Sequence, residues 1–251
     1  MNEILVYRWL LWAWFALPVI IFVSLFFVTA PYGRHAKRTG GPSLPAWLGW
    51  VVMESPSVIA FAACWLFGRR TPVTWAFFAL WQLHYVNRTY IFPFRMRGAS
   101  KPMPLGVIAG AFFFTLVNGY LNGRWLTAFG PALGTGWLTD PRFVAGAALF
   151  LVGFAINQHA DRVLFHLRAP GETGYKIPRG GLYRWVSCPN YLGEIIEWSG
   201  WALATWSPAG LAFALWTVAN LLPRARAHHR WYRAQFPDYP TERRALVPLV
   251  F

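Results

Sequence analysis

Residues 5–30 read LVYRWLLWAWFALPVIIFVSLFFVTA, and the run carries one charged side chain, Arg8. A helix rises about 1.5 Å per residue and the hydrocarbon core of a bilayer is about 30 Å thick, so roughly 20 such residues cross it. A soluble helix needs a polar face, and this run offers none. It therefore reads as a membrane span, not a cleaved signal peptide, because it lacks a basic leader and is too long.

Six further apolar segments follow: Ala46–Phe67, Val73–Phe92, Leu105–Leu121, Phe143–Leu164, Tyr191–Trp206 and Ala209–Leu222. The last two are separated only by Ser207 and Pro208 and read as a tight helical hairpin. The expected fold is thus an all-α integral membrane bundle of seven transmembrane helices in a single domain spanning residues 1–251. Composition agrees: 56% of the 251 residues are hydrophobic, 19% aromatic and only 13% charged, with mean hydropathy +0.35. Disorder is excluded by that apolar content. Two cysteines, Cys64 and Cys188, exclude a disulfide-stapled secreted module.

The net charge of +14 does not point to nucleic acid, because the basic residues lie between apolar runs rather than on one soluble face. They report orientation instead. Arg34, Lys37, Arg38, Arg95, Arg97, Lys101, Arg168, Lys176, Arg179, Arg184 and six arginines from Arg224 to Arg244 fall on one side, sixteen against Arg69, Arg70, Arg124 and Arg142 on the other. The N-terminus is expected outside and the C-terminus in the cytoplasm.

An ionisable side chain at membrane depth is a candidate for function unless it is a structural polar contact between helices. Glu54 interrupts WVVMESPSVIAF (50–61) two residues before Pro56, which can bend the helix around it. In WQLHYVNRTYIFPF (81–94), Tyr85 and Arg88 are three apart, hence on one helical face. A tyrosine beside a buried acid can polarise a carbonyl oxygen; without a partner it is an interfacial residue. Asn157 and Asp161 are four apart, and Asn190, Glu194 and Glu197 follow i, i+4, i+7 spacing, a polar stripe that must face something other than lipid. The loop between them, HLRAPGETGYKIPRGGLY (166–183), supplies Arg168, Lys176 and Arg179 with glycines that let backbone approach a ligand. Basic groups beside exposed amides suit phosphates. Arg224, His228 and Tyr232 lie at i, i+4 and i+8 on an expected cytoplasmic helix, whereas Arg226, Arg230 and Arg233 fit contacts with lipid headgroups. No spacing suits a metal, no glycine pattern suits a dinucleotide fold, and no nucleophile elbow occurs.

The segments PGETGYKIPRGGLY, NYLGEIIEWSGWALATWS, HHRWY and FPDYPTERRALVPLVF, with MESPS and HYVNRTY upstream, closely resemble the steroid 5-alpha-reductase family. That resemblance implies a seven-helix membrane enzyme that uses NADPH to reduce the 4,5 double bond of a 3-keto-4-ene steroid. It implies that Glu54 and Tyr85 hold the C3 ketone oxygen. It implies that Arg88, Asn157, Asp161, Arg168, Tyr175, Lys176, Asn190, Glu194, Arg224, His228 and Tyr232 line the NADPH site, closed by the C-terminal helix. Met53 and Glu197 belong to the substrate pocket, and Met53 stands where relatives acting on steroid hormones often carry Gln. Residues 1–122 form the substrate side and residues 143–251 mainly the cofactor half. The implied partners are a hydrophobic steroid entering from lipid and the membrane itself, with no nucleic acid and no metal, in a monomer of a bacterial inner membrane or the endoplasmic reticulum. The competing readings are a reductase of another sterol or polyprenol enone, a membrane S-adenosylmethionine-dependent methyltransferase of the isoprenylcysteine carboxyl methyltransferase type, and a transporter. Methyl transfer does not require Glu54 and Tyr85, and a transporter would gather its polar groups at the midplane.

Overall fold

A computed structural model describes residues 2–28, 41–169, 171–172 and 174–251. The end of the first apolar run and the basic Arg34, Lys37 and Arg38 lie outside the described residues. The chain is mostly helical: α1 (Glu3–Phe27), α2 (Ala46–Leu66), α3 (Pro72–Val86), α4 (Phe92–Arg95), α5 (Leu105–Arg124), α6 (Pro141–His166), α7 (Pro189–Thr205) and α8 (Pro208–Gln235). Among the described residues four helices are long and apolar enough to cross a membrane, at Glu3–Phe27, Ala46–Leu66, Leu105–Phe129 and Pro141–His166.

Three helices start alike, with a capping side chain followed by proline. Thr71 accepts from Thr74 N at 3.2 Å before Pro72, Asp140 from Arg142 N at 2.9 Å before Pro141, and Ser207 from Gly210 N at 2.9 Å before Pro208. The cap satisfies an orphan N–H, and proline costs nothing where no intrahelical donor is needed. The Arg142 guanidinium and backbone N–H hold the Asp140 carboxyl at about 2, below the usual carboxylate range.

α2 and α5 begin side by side from a short antiparallel ladder, β1 (Ser43–Pro45) with β2 (Pro102–Pro104), in the register Leu44↔Met103. This ladder is a departure from the all-α expectation. It exists because α2 has no side-chain cap, and the chain after α4 supplies one: Ala46 N and Trp47 N donate to the carbonyls of Lys101 and Ala99.

Other boundaries also move. The third apolar segment is not one α-helix to Phe92, since α3 ends at Val86 and a π-turn, Asn87–Ile91, follows. The seventh segment does not stop at Leu222. α8 continues through Pro223 to Gln235, so the apolar span and the expected cytoplasmic helix are one element.

The tightest seam joins α6 to α7. Gly146 and Gly153 on α6 meet Gly200 and Gly193 on α7, both pairs spaced by seven residues; a Cβ at Gly193 would stand 2.6 Å from Asn157 N, and one at Gly200 2.5 Å from Phe150 N. Only glycine lets two backbones approach so closely. An aromatic core of Phe61, Phe77, Trp81, Tyr85, Phe150, Trp198 and Trp201 fills the space between α2, α3, α6 and α7. Two of its buried indole N–H groups find carbonyl partners, Trp81 in Ser57 O at 3.0 Å and Trp201 in Asn122 Oδ1 at 2.8 Å.

Candidate functional site

The π-turn after α3 presents Arg88 to the α6–α7 seam. A π-turn admits one extra residue per turn and re-aims side chains, which is why such turns collect at functional sites. The Arg88 guanidinium lies 3.8 Å from Asp161 Oδ2 and 3.7 Å from Glu194 Oε1, with its carbon 4.3 Å above the Trp50 ring and 4.4 Å from that of Phe92. Asn157 Nδ2 donates to Asn190 O at 3.1 Å and to Glu194 Oε1 at 3.2 Å, and Asn190 Nδ2 donates to Asp161 Oδ1 at 3.3 Å. Gln158 Nε2 donates to the Asn87 side-chain Oδ1 on the π-turn at 2.9 Å. Arg88, Asn157, Asp161, Asn190 and Glu194 therefore form one cluster drawn from three elements. Asp161 Oδ2 is buried without a hydrogen-bond partner among the described residues.

Tyr85 lies one helical turn away, buried against Trp81 at 4.8 Å and Trp198 at 5.6 Å between ring centres. Its hydroxyl faces Ser57 and Asn118, and Glu54 is close enough to act on it electrostatically. Glu54 makes no hydrogen bond to another described residue and is partly exposed, between the buried Met53 and Pro56 of α2. Next to it, Met53 is buried, and its carbonyl accepts from Thr115 Oγ1 at 2.6 Å, tying α2 to α5.

Glu197 shares the α7 face with Glu194 but takes a different partner. It is fully buried, with Oε1 2.8 Å from His84 Nδ1. His84 escaped the sequence reading; a titratable side chain next to Tyr85 within an apolar-rich span was the available signal. Ser57 and Asn118 escaped it too, being small polar groups of the kind common at helix seams.

The remaining basic candidates sit on the loop between α6 and α7 and along the end of α8. Arg168 Nη1 donates to Gly174 O at 2.6 Å, and Arg97 donates to the carbonyls of Phe165 and Arg168 at 3.1 and 2.9 Å, closing the end of α6. Lys176 pairs with Glu172 at 2.6 Å, and together with the Ala169 N–H it holds the Glu172 carboxyl below its ordinary value. Tyr175 packs edge-on against Trp231, with 4.8 Å between ring centres. The Tyr191 hydroxyl joins Arg224 and His228, each at 3.1 Å, while Tyr232 stacks on Tyr239 at 5.3 Å. The structure thus brings Arg224 and His228 together and places Tyr232 in the C-terminal aromatic stack. Over α8 the C-terminal chain is fixed through Ser187, whose Oγ lies 2.6 Å from His229 Nδ1, 2.7 Å from the Tyr239 hydroxyl and 3.1 Å from Arg244 O. Gly180 and Gly181, at φ 91° and 49°, make the turn that leads into this segment.

A cavity of about 210 Å³ opens at the other end of the bundle, lined by Trp125, Leu133, Trp137, Arg142 and Trp206 among others. It gathers none of the residues above. No group of three or more metal-binding side chains occurs among the described residues.

A family model described as 3-oxo-5-alpha-steroid 4-dehydrogenase matches residues 101–251. The chain is 45% identical over 243 residues to 3-oxo-5-alpha-steroid 4-dehydrogenase 1 of Bos taurus, covering 94% of this chain and 93% of that protein. It is 44% identical over 224 residues to the Homo sapiens protein of the same name, covering 88% and 86%. To steroid 5-alpha-reductase DET2 of Gossypium hirsutum it is 42% identical over 242 residues, covering 94% and 93%.

Proposed function

Because the chain belongs to the 3-oxo-5-alpha-steroid 4-dehydrogenase family, we propose that it reduces the 4,5 double bond of a 3-keto-4-ene steroid to the 5-alpha-3-ketosteroid with NADPH. The observation that carries this reading is the 45% identity to 3-oxo-5-alpha-steroid 4-dehydrogenase 1 of Bos taurus over 94% of this chain, and the Arg88–Asp161–Glu194 cluster one helical turn from Tyr85 supports it. The relatives favour it over methyl transfer and over other sterol or polyprenol reductions, since those named are steroid reductases.

The residues present fit NADPH. Asp161 carries a buried oxygen still able to accept a hydrogen bond, with the Asn190 amide and the Arg88 guanidinium beside it. Arg88, Asn157, Asp161, Asn190 and Glu194 would hold the cofactor where the π-turn meets the ends of α6 and α7. Arg168, Tyr175, Lys176, Arg224, His228 and Tyr232 would hold it on the cytoplasmic side, where cations suit phosphates. When bound, NADPH supplies the hydride for C5.

The proton that completes the reduction at C4 is drawn from water, and polarising the enone falls to side chains of this chain. Tyr85 donates a hydrogen bond to the C3 ketone oxygen, where negative charge grows as the enone is reduced, and Glu54 provides the second polar contact there. A fixed donor at such an oxygen contributes on the order of 10²- to 10³-fold in rate. Trp81 and Trp198 keep water from the Tyr85 ring, which strengthens that hydrogen bond. Met53 gives the pocket an apolar wall beside Glu54, whereas Glu197, fully buried on His84, stands away from the substrate contacts and holds the packing around them.

The same reading includes seven spans, with α3, α7 and the apolar half of α8 joining the four helices long and apolar enough to cross a membrane, the N-terminus outside and the C-terminus in the cytoplasm. The protein works as a monomer, and the substrate enters from lipid. In support, α1 exposes Trp9, Trp12, Val19 and Ile20, a surface that water would not tolerate.

Ligand-dependent melting of the detergent-purified protein tests the cofactor. NADPH at about 100 times its Kd is expected to stabilise by about 2.7 kcal/mol and raise Tm accordingly. A response to S-adenosylmethionine with none to NADPH would overturn the reading.

A further inference from the structure

Two consecutive residues of α3, His84 and Tyr85, meet two consecutive residues of α7, Glu197 and Trp198. His84 Nδ1 is 2.8 Å from Glu197 Oε1, and the rings of His84 and Tyr85 lie 4.6 and 5.6 Å from that of Trp198. The His84 and Glu197 side chains are 8% and 0% exposed, and Glu197 Oε2 has no hydrogen-bond partner among the described residues, so the carboxylate is anchored there through His84.

Packing of Tyr85 on Trp81 and Trp198 is non-directional, and rings can slide on one another. The hydrogen bond to His84 is directional. It fixes how α3 is rotated about its axis one residue before Tyr85 and three before the π-turn, where a regular helix would otherwise hold the register. Glu197 is fixed in turn, because its backbone N packs against Gly153 across the glycine seam. The geometry points to His84 and Glu197 as a positioning pair that aims the Tyr85 hydroxyl at the substrate carbonyl. This rests on the reductase reading above. The pair touches neither substrate nor cofactor; it acts through Tyr85.

The test uses the full-length protein, comparing H84F/E197L with E197Q and H84N. Replacing both members of a buried polar pair by apolar groups of similar volume leaves folding near neutral, because no orphan charge remains. Gln at 197 keeps the acceptor oxygen, and Asn at 84 keeps a donor where Nδ1 stands. A misplacement of about 1 Å at a reacting group costs on the order of 10²-fold. H84F/E197L is therefore expected to lose about tenfold or more in kcat, with steroid KM, NADPH Kd and Tm within about threefold or a few degrees of wild type. E197Q and H84N are expected to stay within about threefold of wild-type kcat.

Wild-type kcat in a folded H84F/E197L would overturn the inference, as would E197Q losing as much as the double variant. If H84F/E197L fails to bind NADPH, H84F against H84N decides: loss of kcat in H84F with retention in H84N supports the pair, and equal kcat in the two overturns it. Absence of enone turnover by the wild-type protein would instead remove the reductase reading itself.

Discussion

Asn157 on α6 donates to the Glu194 carboxylate on α7 across 3.2 Å, and through that carboxylate the amide reaches the Arg88 guanidinium 3.7 Å beyond. Three elements far apart in the chain are joined by this contact. Asn157→Ala is expected to weaken NADPH binding about tenfold, because it unfastens Glu194 and the Asn190 carbonyl together, each such bond being worth about 0.5–1.5 kcal/mol. Fluorescence titration of NADPH checks it, with steroid KM as the parameter that should hardly change.

Tyr85→Phe removes the hydroxyl and keeps the ring on Trp81 and Trp198. Turnover is expected to fall on the order of 10²- to 10³-fold while NADPH affinity is retained. Glu54→Gln should follow the same pattern with a smaller loss. Steady-state kinetics beside cofactor titration separate the two effects.

Gly153→Ala drives a methyl group into the Glu197 N and Gly193 O backbone atoms, neither of which can rotate away. Overpacking of this kind costs about 1–3 kcal/mol, so Tm should drop by a few degrees. Gly134→Ala is the control, since nothing lies within 4 Å of its added Cβ.

The C-terminal chain should loosen in acid. Burial, with the Arg233 and Arg244 guanidinium groups nearby, holds the His229 imidazole below the usual histidine range. The unfolded chain therefore binds the proton more readily. The contribution of His229 is complete above about pH 6.5 and is lost as pH falls through the lowered value. The protection factors of Ser187 N and Cys188 N, which donate to Arg244 O and Ala245 O, should fall between pH 7.5 and 5 once the intrinsic exchange rate is divided out. In His229→Gln that pH dependence should shrink.

Arg97→Ala exposes the last carbonyls of α6. Loss of two charge-assisted bonds, to Phe165 O and Arg168 O, is expected to fray that turn and weaken NADPH binding severalfold by releasing Arg168. Hydrogen exchange in residues 162–168 reports it directly.

Much of this architecture is legible in residue order. The pairs Thr71-Pro72, Asp140-Pro141 and Ser207-Pro208 mark helix starts locally, and apolar runs mark the elements that follow. Glu54, Tyr85 and Arg88 stand out because charge and hydroxyl are costly among apolar neighbours. The split of the α7 stripe is not legible. Asn190, Glu194 and Glu197 share a face, but Glu197 lies about 10 Å along the axis from Asn190. At one depth the stripe meets Asn157 and Asp161, and at the next it meets His84, 113 residues away in sequence. No local spacing encodes a partner on another helix. Nor does the chain announce the π-turn at Asn87 or the passage of α8 through Pro223, where neighbouring helices override the usual penalties.

The most direct test of the central claim is the transfer of deuterium from nicotinamide-deuterated NADPH to a 3-keto-4-ene steroid by the purified protein. The account predicts one deuterium at C5, on the alpha face, with one NADPH consumed per steroid reduced. Deuterium at C3, a 5-beta product, or steroid left unchanged while NADPH binds would contradict it.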